Sequence, residues 1–339
     1  MLIAVLGMNH KSSHLGLREV VAKAAHQCFG SKSLWGSWLK GVLLSTCNRT
    51  EIYFSGEHLP ELHSQVLSVL RGAIPGPFEH GVYSYFGVEC FTHLARVTSG
   101  LDSAITFETE IQRQVKVAYE NASQDHALSS ELHFLFQKCL KIGKTVRSSF
   151  PISQSAIGLE QTIFQLTQNF FKNLNDISIL FVGNSEINRK ILTFLSKKMR
   201  GKITLCTRRV TQAEQEEYSK KISICDFACL GSYLNYELIV CGSYFQDYFI
   251  RREDLEKAAV FRTQLILDLA VPRNVDPLVK YHPKVQLLNI DELSKFVDQN
   301  RTYHLQEIQR CLKKIRQDVE NQISMYGQKR ARACEAAVL

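Results

Sequence analysis

The sequence lacks the features of membrane, secreted and disordered proteins. No apolar run approaches the roughly 18 residues that a membrane-spanning helix needs. Residues 1–7 are too few for the apolar part of a signal peptide and have no basic start. A hydrophobic fraction of 45% and a charged fraction of 22% are ordinary for a folded, soluble chain. We therefore expect a cytoplasmic protein without membrane contact, and 339 residues predict two domains with a helical addition.

The chain also lacks a regular cysteine framework, although it has ten cysteines. Without a secretion signal, scattered reduced thiols are the natural interpretation. Only Cys225 and Cys229 lie close together in the sequence, and no second pair of cysteine or histidine residues has metal-ligand spacing. We expect no metal site.

Acidic residues are fewer than basic ones, so the net charge is +8. This modest excess permits an anionic partner, such as nucleic acid or a phosphorylated cofactor, without requiring one. Two predicted helices carry basic patches, each of which is either a phosphate-binding surface or a solubilising face. The patches are Lys138, Lys141, Lys144 and Arg147 on one helix, and Lys313, Lys314 and Arg316 on the last.

Hydrophobic patterning divides the chain into three regions and indicates a multidomain α/β protein. Residues 1–150 alternate short strands and helices, which predicts an α+β domain. Residues 151–290 alternate near-continuous apolar strands with helices, which predicts a doubly wound, Rossmann-type domain. Between 291 and about 326 no proline or glycine occurs, and apolar residues recur at steps of three and four. We predict one long helix there, followed by a short tail to residue 339.

The first strand of the Rossmann-type domain ends at a turn that partly matches a dinucleotide fingerprint. Such a turn needs glycine for tightness and a second small residue where the backbone meets the pyrophosphate. Gly183 meets the first need, Ser185 stands at the second glycine position, and Asn188 at the third. An ordinary strand-to-helix turn is the alternative. The candidate cofactor-binding residues are Gly183, Asn184, Ser185, Glu186, Ile187 and Asn188.

The end of the second strand of this domain lacks the carboxylate with which NAD-preferring proteins bind the ribose hydroxyls. Arg208 and Arg209 stand in its place. A guanidinium pairs in a bidentate way with a 2′-phosphate, which a carboxylate would repel. If a dinucleotide binds, we expect NADP(H), with a solvated basic turn as the alternative.

Residues 45–51 form the most unusual short segment. Cys47 lies at the end of a predicted strand, beside polar groups and Arg49. This setting favours a thiolate over a thiol, and Arg49 could hold a substrate carboxylate with its planar fork. The alternative is that Cys47 is a small buried hydrophobic residue, as most cysteines are.

The polar residues that follow are weaker candidates. His93, on a predicted helix, could be a base or a polarising donor, or a structural residue. The turn at 99–103 could bind a small polar ligand or cap a helix. Glu108, Glu110 and Gln114 fall on one side of the next helix, where a solvated face is the alternative.

Several segments together resemble the glutamyl-tRNA reductase family. In chain order they are residues 7–11, 17–19, 44–51, 93–94, 97–103, 114–116, 135–144 and 268–277. The resemblance spans about residues 1–330, and the Ser-Thr-Cys-Asn-Arg block at 45–49 is highly specific to that family. It implies an NADPH-dependent reduction of glutamyl-tRNA(Glu) to glutamate-1-semialdehyde, the first step of five-carbon tetrapyrrole (porphyrin and heme) biosynthesis.

The resemblance also implies the roles of particular residues. The nucleophile that forms a thioester is Cys47, and the histidine required for activity is His93. The cofactor loop falls on residues 183–188. The implied glutamate pocket consists of Thr46, Asn48, Arg49, Ser103, Glu108, Thr109, Glu110 and Gln114. The implied partners are glutamyl-tRNA(Glu), a second copy of the chain bound through the C-terminal helix, and transiently glutamate-1-semialdehyde aminomutase.

The sequence departs from the family pattern in three places. The family's Gly-Glu-Pro-Gln stretch is Phe-Glu-Thr-Glu at 107–110, and the Gly-x-Gly of its cofactor loop is Gly-Asn-Ser at 183–185. Where the family continues into a helical dimerisation domain, only residues 328–339 remain, so we expect dimerisation to rest on the 291–326 helix or to be weak. Two other functions stay open: a small-molecule NADP-dependent oxidoreductase, and a non-catalytic tRNA-binding protein.

Overall fold

A computed structural model describes residues 1–30, 39–104, 110–150, 159–171, 173–243, 245, 247–257, 262–298 and 305–338. The chain forms two compact units. The first unit contains residues 1–156 and 301–339, and the second contains residues 157–300. We predicted boundaries at 150 and 290 and a separate C-terminal region, whereas the structure groups the C-terminal helix with the N-terminal residues.

Ten strands and eleven helices lie within the described residues. The strands are β1 (Ile3–Asn9), β2 (Gly41–Ser45), β3 (Arg49–Ser55), β4 (Tyr83–Phe86), β5 (Ile179–Val182), β6 (Ile203–Cys206), β7 (Ser223–Cys225), β8 (Leu238–Cys241), β9 (Gln264–Asp268) and β10 (Val285–Asn289). The helices are α1 (Leu15–Phe29), α2 (Leu59–Ala73), α3 (Gly87–Thr98), α4 (Glu110–Asp125), α5 (Ser130–Ser149), α6 (Leu159–Phe170), α7 (Glu186–Lys198), α8 (Val210–Glu214), α9 (Arg252–Lys257), α10 (Ile290–Asp298) and α11 (Leu305–Val338). Short 3-10 segments cover Glu79–Gly81, Glu217–Lys221, Phe227–Asn235 and Pro277–Tyr281. None of the helices in these ranges is long and apolar enough to cross a bilayer.

The first unit is built on an antiparallel sheet of order β2-β3-β1-β4. The central strand β1 is buried on both faces, because Ile3 and Val5 belong to one core and Ala4 and Leu6 to another. This division follows from the alternation of side chains along a strand. Helices α1 and α2 cover the second of these faces. The end of β1 lies beside the start of β3, which brings two polar loops together.

The C-terminal helix α11 packs against α3 and α5. Its residues Cys311, Ile315 and Val319 are buried in one core with Phe91 of α3 and Phe136 of α5. The apolar stripe from which we predicted this helix is therefore buried within the unit. Burial of this stripe stabilises the helix, since a long surface helix depends on the packing of its apolar face.

The single helix predicted over 291–326 is described in two parts, α10 and α11. Residues 299–304 between them lie outside the described residues. The helix α11 continues to Val338, so the tail predicted after Tyr326 is helical as far as it is described.

The second unit contains a parallel sheet of order β10-β9-β8-β5-β6-β7. All four residues of β5, β6 and β8 are buried, as expected for strands that are covered on both faces. From β5 the chain adds β6 and β7 on one side, and then returns to add β8, β9 and β10 on the other side, so the strand order reverses between β5 and β8. In sheets of this kind, ligands bind in the crevice at the carboxyl ends of the strands at this switch point.

Candidate active site

The turn between β2 and β3 carries Cys47 at its tip. The amide N–H of Thr46 donates to the carbonyl of Arg49 at 2.8 Å, which closes the turn. The Thr46 hydroxyl oxygen accepts from the amides of Asn48 and Arg49, each at 3.2 Å. A third tie comes from the amide of His10, which donates to the Asn48 carbonyl at 3.0 Å. The thiol of Cys47 is therefore held on a fixed turn, where it is half-buried.

A fully buried carboxylate, Glu51, lies two residues further along the strand from Arg49. The Oε1 atom of Glu51 accepts from Arg49 Nη1 at 2.7 Å, from His93 Nε2 at 2.8 Å and from the Tyr83 hydroxyl at 2.5 Å. The Oε2 atom accepts from the Tyr53 hydroxyl at 2.6 Å. Both oxygens of this buried carboxylate therefore have hydrogen-bond donors.

The electrostatics of this cluster keep Glu51 ionised. Burial alone would raise the pKa of Glu51, but the charge of Arg49 and the contact with His93 outweigh it and hold the pKa well below its usual range. Burial and the neighbouring Glu51 raise the pKa of both Tyr53 and Tyr83 well above the usual value. The two phenols therefore remain protonated and serve as hydrogen-bond donors.

The guanidinium of Arg49 is 1% exposed and binds two carboxylates of the chain itself. Besides Glu51, its Nη1 contacts Asp102 Oδ2 at 3.2 Å, and its Nη2 donates to the Asp102 carbonyl at 2.6 Å. Lys11 Nζ holds the other oxygen of the Asp102 carboxylate at 2.6 Å. Both Nη atoms, which we expected to form a fork for a substrate carboxylate, are therefore occupied by internal acceptors.

Four buried polar atoms around this turn have no hydrogen-bond partner in the described part of the chain. They are His10 Nδ1, Asn48 Oδ1, Arg49 Nε and Ser103 Oγ. Buried polar atoms are normally paired, so an unpaired set of donors and acceptors indicates the position of a polar ligand. Burial, with the nearby charges of Arg49 and Lys11, lowers the pKa of His10 to about 4, so this ring is neutral near pH 7.

The remaining predicted residues of the site lie on helices α3 and α4 or outside the described residues. His93 lies on α3, with its ring 5.3 Å from that of Tyr83. Glu110, at the start of α4, is buried and accepts from Arg113 at 2.6 Å, and Gln114 on the same helix is half-buried. Glu108 and Thr109 lie outside the described residues.

Four further residues of the site lie inside the motifs of the family resemblance but have no role assigned from the sequence. These residues are His10, Lys11, Glu51 and Asp102. The alternation of side chains along β3 could have placed Glu51 on the face of Arg49. Nothing in the sequence indicates the pairing of Arg49 with Asp102, because 53 residues separate them.

The candidate cofactor site lies at the carboxyl edge of the parallel sheet. Gly183 has φ of +90°, a conformation that favours glycine, and a Cβ there would lie 2.5 Å from Ser243 Cβ. Ser185 caps α7 by accepting from the amide of Asn188 at 3.3 Å. The amide side chain of Asn188 donates to the carbonyls of Val182 and Gly183, at 2.9 Å each.

The turn therefore keeps the first glycine of the fingerprint and replaces the third with an amide that ties the loop to α7. Its remaining residues are partly accessible. Asn184 accepts from the Tyr218 hydroxyl at 2.9 Å, Glu186 lies 3.6 Å from Lys190, and Ile187 is half-buried. A glycine with positive φ just before a helix N-terminus, as at Gly183, is the part of this turn that fits a dinucleotide pyrophosphate.

Arg208 and Arg209 follow β6 and are both exposed. The Arg208 guanidinium lies over the Phe227 ring, 5.7 Å from its centroid. The Arg209 amide donates to the Thr207 hydroxyl oxygen at 3.2 Å. Two exposed cations at this position fit the 2′-phosphate of NADP(H). Across the described residues, no group of three or more histidine, cysteine or acidic side chains could hold a metal ion.

Comparison with known proteins shows to which family the chain is similar. Residues 6–150 match the family model of the N-terminal domain of glutamyl-tRNA(Glu) reductase, and residues 165–296 match that of shikimate/quinate 5-dehydrogenase. The glutamyl-tRNA reductase of Chlamydia abortus is 35% identical over 305 residues, which cover 88% of this chain and 85% of the relative. The chain belongs to the glutamyl-tRNA reductase family. The glutamyl-tRNA reductase of Thermus thermophilus is 30% identical over 336 residues, which cover 97% of this chain and 82% of that relative.

A solved structure agrees with this assignment at the level of fold. The glutamyl-tRNA reductase from Methanopyrus kandleri superposes with a TM-score of 0.51 at 24% identity, over 98% of this chain and 82% of that one. The predicted family and the multidomain α/β class are confirmed. As a glutamyl-tRNA reductase, the chain is an NADP-dependent oxidoreductase that uses NADPH in the first step of tetrapyrrole biosynthesis.

Proposed function

We propose that Cys47 is the nucleophile that captures the glutamyl group of glutamyl-tRNA(Glu) as a thioester. The thiolate forms a bond to the ester carbonyl carbon, and the bond from that carbon to the ribose oxygen of the tRNA breaks. The released ribose oxygen takes up a proton. NADPH, when bound, supplies the hydride that converts the thioester to glutamate-1-semialdehyde and returns the thiolate. The position of Cys47 at the tip of a fixed polar turn supports this proposal.

The unpaired atoms of Asn48 and Arg49 in the turn, and of Ser103 next to Asp102, match the polar groups of a glutamyl residue. Asn48 Oδ1 can accept from the α-ammonium group, and Ser103 Oγ and Arg49 Nε can donate to the side-chain carboxylate. Thr46 shapes the turn that presents them. In this proposal Arg49 contacts the carboxylate with one N–H rather than with the two-pronged fork that the sequence suggested. Glu108, Thr109, Glu110 and Gln114 remain proposed pocket residues on the strength of the family resemblance.

His93 acts on the Cys47 turn through Glu51 in this proposal. Because Nε2 donates to an ionised carboxylate, the proton sits on Nε2 and the ring is fixed in one orientation. Glu51 in turn holds Arg49, which forms the base of the turn. His93 is then a positioning residue for the nucleophile.

We also propose the partners of the chain and its location. The exposed lysines Lys141 and Lys144 of α5, and Lys313 and Arg316 of α11, would bind phosphates of the tRNA. The chain would form a homodimer through the part of α11 that faces solvent, where Met325 is 58% exposed. A transient complex with glutamate-1-semialdehyde aminomutase would protect the aldehyde. The compartment would be the cytoplasm.

Trapping the intermediate tests the central step. The chain is incubated with glutamyl-tRNA(Glu) without NADPH, and peptides are searched by mass spectrometry for a glutamyl adduct on Cys47. The wild-type chain and a Cys225→Ser control should form the adduct, whereas Cys47→Ser should not. Retention of full reductase activity in Cys47→Ser would end the thioester mechanism.

A further inference from the structure

The loops that follow β5 and β8 meet at the switch point of the parallel sheet. A Cβ on Gly183 would lie 2.5 Å from Ser243 Cβ and 3.0 Å from the carbonyl oxygen of Gly242. A Cβ on Gly242 would lie 2.5 Å from Asn188 Oδ1. Gly183 therefore packs directly against Ser243, and Gly242 against Asn188, with no room for a side chain on either glycine. In a doubly wound sheet the adenosine half of a dinucleotide lies over the strands on the β6 side, and the nicotinamide half over those on the β8 side.

Asn274 joins the loops after β8 and β9 on that second side. Its own amide N–H donates to Asp268 Oδ2 at 2.9 Å, so the carboxylate at the end of β9 fixes its backbone. Its side-chain Oδ1 accepts from both the amide and the hydroxyl of Ser243, at 3.1 and 2.8 Å. Ser243 is the residue that packs against Gly183 of the cofactor loop. A chain of contacts thus connects Asp268, through Asn274 and Ser243, to the crevice.

The side-chain nitrogen Nδ2 of Asn274 takes no part in these hydrogen bonds. Asn274 is fully buried, and Nδ2 has no hydrogen-bond partner among the residues that the structure describes. An unpaired buried donor is unfavourable, and it is retained where a ligand supplies the missing acceptor. The nicotinamide carboxamide and its ribose both present acceptor oxygens.

We infer that Asn274 positions the nicotinamide half of NADPH: its Oδ1 holds Ser243 against the crevice, and its Nδ2 donates to the nicotinamide nucleotide. The inference rests on the cofactor of the proposed function and assigns the nicotinamide end of its site. The adenosine end, with Arg208 and Arg209, is separate from this contact.

Binding of two probes to the purified full chain tests the inference without turnover. The probes are NADPH, whose nicotinamide fluorescence reports binding, and 2′,5′-ADP, which contains only the phosphorylated adenosine half. In Asn274→Ala we expect the Kd of NADPH to rise at least tenfold and its bound-state fluorescence to change, with the Kd of 2′,5′-ADP within twofold of wild type. The matched control Arg208→Ser should instead weaken both probes.

Two further variants separate the two contacts of Asn274. Ser243→Ala removes one donor to Oδ1 but leaves Nδ2, and we expect a smaller loss of NADPH affinity than in Asn274→Ala. Unchanged NADPH affinity in Asn274→Ala would overturn the inference, and so would an equal loss of both probes, which would indicate general damage to the unit. Formation of the Cys47 adduct does not need NADPH, so it should persist in every one of these variants and distinguishes a failure here from a failure of the thioester proposal.

Discussion

At the scale of single residues, the active-site turn depends on one buried carboxylate. Arg49 and Glu51 lie on one face of β3, which strand alternation predicts, and the Cys47 turn could be recognised from the sequence because its residues are contiguous. The partners that complete the cluster could not, since His93 lies 42 positions from Glu51 and Asp102 lies 53 positions from Arg49. Long-range pairing of charges depends on the tertiary fold and leaves no local signal.

Replacing Glu51 with glutamine should therefore damage both stability and activity. The substitution Glu51→Gln leaves the Arg49 guanidinium buried without its closest counter-charge, which typically costs about 3–5 kcal/mol. We expect a loss of that order in the free energy of unfolding, measured by urea titration, together with slower adduct formation on Cys47. The exposed ion pair of Glu79 with Arg71 gives the control, because Glu79→Gln should change stability little. Equal effects of the two substitutions would contradict the role assigned to Glu51.

The half-buried imidazole of His10 should make the protein sensitive to mild acid. Its pKa is lowered from 6.5 to about 4 by burial, so between these values the unfolded chain binds a proton that the folded chain does not. Stability therefore falls as the pH falls through this window, by about 3 kcal/mol in total. His10→Gln should flatten the free energy of unfolding between pH 6.5 and 4, measured by urea titration at several pH values. An identical pH dependence in wild type and variant would show that His10 is not responsible.

At the scale of elements, hydrophobic periodicity predicts which segments form helices, but it does not predict which elements those helices pack against. The apolar steps along α11 indicate a helix with one buried face, and the structure has that helix. The same stripe fits a second chain as well as it fits α3 and α5, so the sequence alone could not choose between them. The hydrogen bonds from the Asn188 side chain to the carbonyls of Val182 and Gly183 were not predicted, because the fingerprint assigns glycine to this position.

Truncation on the buried face of α11 should destabilise the first unit. Ile315 is fully buried, and Ile315→Ala should lower the free energy of unfolding by about 3 kcal/mol through lost burial and a cavity. Met325 on the same helix is 58% exposed, and Met325→Ala should change it by less than about 0.5 kcal/mol. Chemical denaturation of both variants measures the difference. If the two variants proved equally stable, α11 would not be part of the core of this unit.

At the scale of the whole molecule, the structure shows which basic side chains behind the net charge of +8 are exposed in the two predicted patches. Of the basic patch predicted on α5, Lys141 and Lys144 are exposed, whereas the Nη atoms of Arg147 are buried. On α11, Lys314 pairs with Asp318 at 2.7 Å. Composition permits an anionic partner without requiring one, and the fold shows which of these cations are accessible to it.

Binding of glutamyl-tRNA(Glu) should therefore depend on salt through a small set of lysines. Each phosphate contact releases counterions, so the logarithm of the affinity falls linearly with the logarithm of the salt concentration. Substituting Lys141→Ala and Lys144→Ala together should weaken binding and reduce the magnitude of that slope by about 1.5, measured by filter binding between roughly 50 and 300 mM salt. The exposed Lys23 of α1 lies outside both patches, and Lys23→Ala should leave the slope unchanged. A double variant with the wild-type slope would place the tRNA on another surface, while a loss of affinity without a change of slope would mean that the two lysines act on the fold rather than on phosphates.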